Sequence, residues 1–158
     1  MSSKPRLLLA FLLAVLLASL LASIFQTQAN LAALQAIGAP VPLNVRLGTT
    51  ALDLLGFTPT FILLSALGFV FALPLAAWLA RRMPALRWLI FVLAGAAAIW
   101  SALALANSVA PMPTLIAADR SPFGTLGLMA CGSVGALLFG LLGRRVRYRA
   151  QPTSSDSL

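Results

Sequence analysis

The chain has no histidine, one cysteine, no glutamate and three aspartates among its 158 residues. Each shortage excludes a kind of chemistry. Without histidine there is no bis-histidine haem ligation, no histidine zinc site and no imidazole general base, and a lone thiol makes neither an internal disulfide nor a multi-cysteine metal site. A serine nucleophile would have no histidine to activate it. Neither a cofactor, a metal nor an enzymatic activity is therefore expected. Charge is scarce as well: charged residues are 9% of the chain, against about 25% in an ordinary soluble domain, too few to coat a globule in water. What is abundant is apolar. Hydrophobic residues make up 61% and the mean hydropathy is +1.00, which places the chain in a bilayer.

A membrane helix needs about 20 largely apolar residues to cross about 30 Å of hydrocarbon, at about 1.5 Å of rise per residue. Four segments qualify: residues 7–25, 59–80, 85–106 and 122–143. Thr58-Pro59 and Ser121-Pro122 each place a capping hydroxyl before a proline at the first helical position, where the missing N–H is harmless. The fold class expected is all-α, a four-helix transmembrane bundle, with residues 1–149 as one transmembrane domain and 150–158 as a disordered cytoplasmic tail.

Lysine and arginine are retained on the cytoplasmic side of a membrane. Lys4, Arg6, Arg81, Arg82, Arg87, Arg144, Arg145, Arg147 and Arg149 fall on one side of the spans, and Arg46 and Arg120 on the other. Nine bases against two put both termini in the cytoplasm and fit a bacterial inner membrane. Trp78, Trp88 and Tyr148 sit beside the basic segments, where interfacial aromatics belong. Lys4, Arg6 and the small residues around Gln28 also suit a secretory signal. The uncharged run is longer than the usual signal core of about 7–15 residues, so an uncleaved anchor is expected.

Residues 26–57 form the long periplasmic loop of this reading. Gln26, Gln28, Asn30 and Gln35 alternate with Leu31, Leu34 and Ile37 at helical spacing, extending the first helix until Gly38-Ala39-Pro40-Val41-Pro42 breaks it. Thr50 and Asp53 resemble a capping box, which suggests a short surface helix after the break.

A carrier coupled to protons or cations usually keeps an acid within a span. Here Asp53 and Asp119 lie in the periplasmic segments and Asp156 in the tail. Arg46, Asp53, Asp119 and Arg120 make two opposite-charge pairs on the periplasmic side, either a polar binding site or a clip between the two loops, with Asp119 and Arg120 also helping to set the start of the fourth helix. Ser19, Ser23, Ser65 and Ser101 can bond back to their own helices. Pro74 should kink the second span.

Small residues spaced four apart let helices approach closely in lipid, where burying apolar surface gains little. Every span carries such a stripe: Ala10, Ala14, Ala18 and Ala22; Gly68, Ala72, Ala76 and Ala80; Ala94, Ala98, Ala102 and Ala106. The fourth has two ridges, Gly127, Cys131, Gly135 and Gly132, Ala136, Gly140. That is more small surface than one neighbour needs. It serves either a partner subunit or second copy, or two helices of the same bundle. Cys131 sits in this face as a small packing residue.

Arg144, Arg145, Arg147 and Arg149 form a juxtamembrane cluster suited to anionic lipid headgroups, and nucleic acid is not expected as a partner. The sequence thus points to a non-enzymatic inner-membrane protein acting through helix packing, an accessory or assembly subunit whose partners are the bilayer and another membrane protein or a second copy. The alternative is a small carrier or lipid-binding protein with a periplasm-facing pocket. No motif matches a named family.

Overall fold

A computed structural model describes residues 3–109 and 116–148. These form α1 (Ser3–Ala36), α2 (Leu43–Arg82), α3 (Arg87–Val109) and α4 (Pro122–Tyr148), with single 3₁₀ turns at Pro84–Leu86 and Ala117–Arg120. All four helices are long and apolar enough to cross a membrane. The tail at 150–158 lies outside the described residues.

Residues 26–57, expected as a loop with a short helix, are helical except for the turn at 37–42. α1 has 34 residues and α2 has 40, about 51 and 60 Å long and well beyond the thickness of a hydrocarbon slab. The turn between them is built by Gly38, whose φ of 85° is the left-handed conformation that closes a helix. Gly38 N–H donates to Gln35 O and Ala39 N–H to Leu34 O, the two bonds of a Schellman cap. Pro40 and Pro42 follow, and α2 starts directly after Pro42.

Thr58-Pro59 is therefore not a helix start, because α2 runs straight through it. Proline removes one helical hydrogen bond, that to the carbonyl four residues back. Pro59 and Leu55, which carries that carbonyl, are both exposed, so the loss falls on the outer side of the helix. The Thr50–Asp53 box is also interior: the Thr50 hydroxyl donates back to Arg46 O. What carries α2 upstream of Pro59 is pairing with the polar arm of α1, a long-range contact invisible to local capping rules.

The four helices close into a ring in which α1 packs on α2, α2 on α3, α3 on α4 and α4 on α1, with α2 and α4 diagonal. The hydrogen bonds between Ser19 and Ser65 and between Arg46 and Gln35, the guanidinium donating, run in opposite registers along α1 and α2, so these two helices are antiparallel. Large side chains fill the centre: Phe61, Phe69, Leu73, Phe91, Ile99 and Leu128 are all at most 1% exposed.

α4 is held on two sides by backbone proximity. A Cβ on Gly135 would lie 2.5 Å from Ala14 O and 2.8 Å from the Ala18 Cβ, while one on Gly127 would overlap the Phe25 ring; this ridge faces α1. One on Gly132 would meet Ile99, and one on Gly140 would lie 2.6 Å from Phe91 Cδ2; this ridge faces α3. From the α3 side, a Cβ on Gly95 would lie 2.5 Å from Gly132 O and 2.7 Å from Ala136 Cβ. Both ridges are thus spent inside the chain. The small surface on α4 thus meets its two neighbours, α1 and α3, the second of the two uses the sequence allowed.

Gly135→Leu places a branched side chain against the Ala14 carbonyl, which no rotamer change relieves. It should destabilise the monomer by about 1–3 kcal/mol or more, read as a lower melting temperature in mild detergent and lower abundance. Val134→Leu, on the exposed side of the same turn, should melt like wild type. Equal melting of the two variants would contradict the packing described.

Candidate functional site

Most hydrogen bonds between side chains of different helices, among the described residues, lie at the end of the bundle that holds the Gly38 turn. Along the α1–α2 seam they form a ladder. Arg46 Nη2 donates to Gln35 Oε1 at 3.1 Å and Gln28 Nε2 to Thr50 Oγ1 at 3.2 Å. The Thr27 hydroxyl, fully buried, donates its one proton between Asp53 Oδ2 at 2.7 Å and Ser23 O at 2.9 Å. Deeper in, Ser19 and Ser65 meet at 3.1 Å while each also reaches a carbonyl of its own helix, Val15 O at 2.8 Å and Phe61 O at 2.7 Å. Back-bonding was the expectation for these serines; the rung between them is additional.

Between the Thr27–Asp53 and Ser19–Ser65 rungs lie Ser23, Gln26 and Thr58. All three are buried, and Ser23 Oγ, Gln26 Oε1 and Thr58 Oγ1 have no hydrogen-bond partner. Unpaired buried oxygens are costly, at about 1–3 kcal/mol each, so this is the polar interior of the bundle with capacity to spare.

A second cluster closes the α3–α4 side of the same end. Asp119 Oδ2 accepts from Asn107 Nδ2 at 2.6 Å and Asp119 Oδ1 from Thr125 Oγ1 at 2.8 Å, so one carboxylate ties the last turn of α3 to the first of α4. Ser121 caps α4 as its sequence indicates: its Oγ accepts the Gly124 N–H at 3.0 Å. A Cβ on Gly124 would overlap the Ala118 carbonyl, which lets the 3₁₀ turn lie directly on the helix start.

The two charge pairs read from the sequence are therefore arranged differently. Arg46 and Asp53 share a helix and each turns to α1, where it meets a neutral partner, while Asp119 takes an amide and a hydroxyl. Arg120 is exposed. Residues that local reasoning left without a role, Thr27, Gln28, Asn107 and Thr125, supply the partners. The four-residue spacing of Ser19, Ser23 and Thr27 was a signal for the α1–α2 ladder; nothing in the spacing tied Asn107 to Asp119.

At the opposite end lie Arg82, Arg87 and the last arginines of α4. Arg82 stacks over Trp78, 5.3 Å from the ring centre, and Arg87 lies 5.1 Å over Phe91 and donates to Gly140 O at 2.8 Å. Arg144, Arg145 and Arg147 continue α4, and Arg149 lies outside the described residues. Cys131 is buried on the α4 ridge that carries Gly127 and Gly135.

Asp119→Ala leaves the Asn107 amide without its acceptor and the Thr125 hydroxyl with Ser121 O alone, and should lower stability by about 1–3 kcal/mol. Arg46→Ala removes an exposed hydrogen bond and should cost at most about 1 kcal/mol. Unfolding of both variants in detergent decides the order, and a larger loss for Arg46→Ala would reverse the ranking of the two clusters.

Compared with known proteins, the chain matches no family model, no curated protein and no solved structure.

Proposed function

We propose that the chain is an integral protein of a bacterial inner membrane that crosses the bilayer four times, with both termini and the Arg81–Arg87 turn in the cytoplasm and the Gly38 turn in the periplasm. It acts without chemistry of its own, by helix packing, as an accessory or assembly subunit of a membrane complex or a homo-oligomer. The four apolar helices and the bias of nine bases to one end support the location and orientation. In this frame the segment beyond the bilayer is a helical hairpin that projects into the periplasm, and Arg144, Arg145, Arg147 and Arg149 lie at the cytoplasmic headgroups.

The observation that carries the packing role is an outward groove between α2 and α3 of about 410 Å³. Gly68 and Ala98 bring the two backbones together, since a Cβ on Gly68 would lie 2.9 Å from Ala98 O. Ala72, Ser101 and Ala102 line the groove beside them, and Leu67, Phe71, Leu75 and Leu105 stand exposed around it. A floor of small residues between large apolar walls suits the ridge of another helix, from a partner subunit or a second copy. The α4 ridges, which the sequence offered for this purpose, are already occupied by α1 and α3.

A carrier or lipid-binding protein with a periplasm-facing pocket is the second reading, and the unpaired oxygens of Ser23, Gln26 and Thr58 favour it. The two readings diverge at Gln26→Leu. Under the packing role this variant keeps or gains thermal stability, because an unpaired buried carbonyl is removed, and keeps its association; under the carrier role it loses binding.

Two outcomes test the proposal. Cysteines introduced at Ser3 and Ser154 should be protected from an impermeant thiol reagent in intact cells while one at Thr49 reacts; reaction at Ser154 would overturn the orientation. Ser101→Trp fills the groove from an exposed position, so the monomer should melt like wild type while co-purification or dimer crosslinking falls several-fold. Unchanged association in Ser101→Trp would remove the groove from the account.

A further inference from the structure

Along the α1–α2 seam most hydroxyls bond back to their own helix: Ser19 to Val15 O, Thr27 to Ser23 O and Ser65 to Phe61 O. Ser23 and Thr58 do not. They are 0% and 6% exposed and their oxygens reach no partner, so each hydroxyl is turned away from the carbonyl one turn behind it and into the interior. The ladder places the two on one rung. Ser23 lies midway along α1 between Ser19 and Thr27, whose partners on α2 are Ser65 and Asp53, and the level midway between those two is that of Thr58 and Pro59. Gln26, three residues beyond Ser23 and so on the next turn of the same side of α1, adds a third buried oxygen without a partner, its Oε1.

The charge beside these oxygens says what they hold. Asp53 stands one rung toward the Gly38 turn, where its Oδ2 accepts from the neutral Thr27 hydroxyl at 2.7 Å, while Arg46 of the same helix donates to Gln35. The carboxylate therefore brings negative charge into the seam. Water would satisfy the three oxygens and leave that charge unanswered, whereas a cation answers both. Among the described residues no three His, Cys, Asp or Glu side chains gather, so the donors are two hydroxyls and an amide oxygen beside a single carboxylate. Transition metals favour nitrogen or sulfur, and a divalent calcium ion takes several carboxylates. Neutral oxygens that replace a hydration shell, with one countercharge, suit a monovalent ion. We propose that the α1–α2 seam binds one alkali-metal cation at Ser23 Oγ, Gln26 Oε1 and Thr58 Oγ1, with Asp53 balancing its charge one rung away. The site needs neither a given orientation in a membrane nor a partner, so it stands or falls apart from the packing role.

The test melts the purified full chain in mild detergent in choline chloride and in equal concentrations of sodium chloride and potassium chloride, which holds chloride and ionic strength constant. Wild type should melt several degrees higher in at least one of the alkali salts, the midpoint climbing with the logarithm of the salt concentration. Ser23→Ala, Thr58→Val and Gln26→Leu each remove an unpaired oxygen. In choline they should melt at or above wild type, and in the alkali salt each should lose most of the increment, a pattern that a misfolded variant does not give. Asp53→Asn keeps an acceptor for Thr27 but no charge, and should raise the salt concentration needed for half the increment about tenfold. Thr125→Val, in the Asp119 cluster, should melt lower in every salt and keep the increment. Equal melting of wild type in all three salts would overturn the cation and leave the three oxygens to water. An alkali increment that persists in both Ser23→Ala and Thr58→Val would overturn the site, because the ion would then be bound elsewhere.

Discussion

The structure depends on how closely α4 approaches the backbones of α1 and α3. In the lipid solvent of the proposed setting, burying leucine gains little, so helices are held by van der Waals contact and by hydrogen bonds between them. Gly135 against Ala14 and Ala18, and Gly132 against Gly95 and Ile99, supply the first. Contacts at this range leave no room for a methyl group. The phenylalanines complete the fit, Phe25 and Phe91 each seated over a glycine of α4, so that the small residues act as sockets for large ones from neighbouring helices. α4 is thereby gripped on both sides, its two ridges covered by α1 and α3.

Hydrogen bonds supply the second kind of adhesion, and they are distributed unevenly. One end of the bundle is tied by neutral partners gathered around two carboxylates, Asp53 on the α1–α2 seam and Asp119 on the α3–α4 side. The other end carries arginines, with Arg82 and Arg87 laid over aromatic rings and Arg87 bonded to α4. Between them the interior passes from hydroxyls and amides to a phenylalanine and leucine core at Phe69, Leu73 and Phe91. In the proposed orientation the polar half opens toward the periplasm and the apolar half closes toward the cytoplasm.

Much of this was legible in the sequence, and the exceptions have a common cause. The four apolar helices follow from length and hydropathy, and the start of α4 from Ser121-Pro122. The start of α2 did not follow from Thr58-Pro59, because a local cap signal cannot register that Thr27, Gln28 and Gln35 of another helix await partners upstream. The small stripes were visible as seams, but a one-dimensional pattern does not say which neighbour fills each; two ridges on α4 read equally well as one internal face and one free face until α1 and α3 are placed beside them. Asp119 read as one of four charges that clip two loops together, whereas the residues that engage it, Asn107 and Thr125, are neutral and lie on two different helices.

The central claim is that the α4 ridges are buried within a single chain, and the native thiol of Cys131 reports on it directly. Cys131 is 9% exposed, while Val134, less than a turn away at nearly the same depth, is 46% exposed. In mild detergent a small uncharged maleimide should modify Val134→Cys, made in a Cys131→Ala background, at least ten times faster than it modifies wild-type Cys131, and Cys131 should react only as the chain unfolds. Equal rates for the two thiols in the folded protein would mean that this ridge faces outward, and the internal packing of α4 would be contradicted.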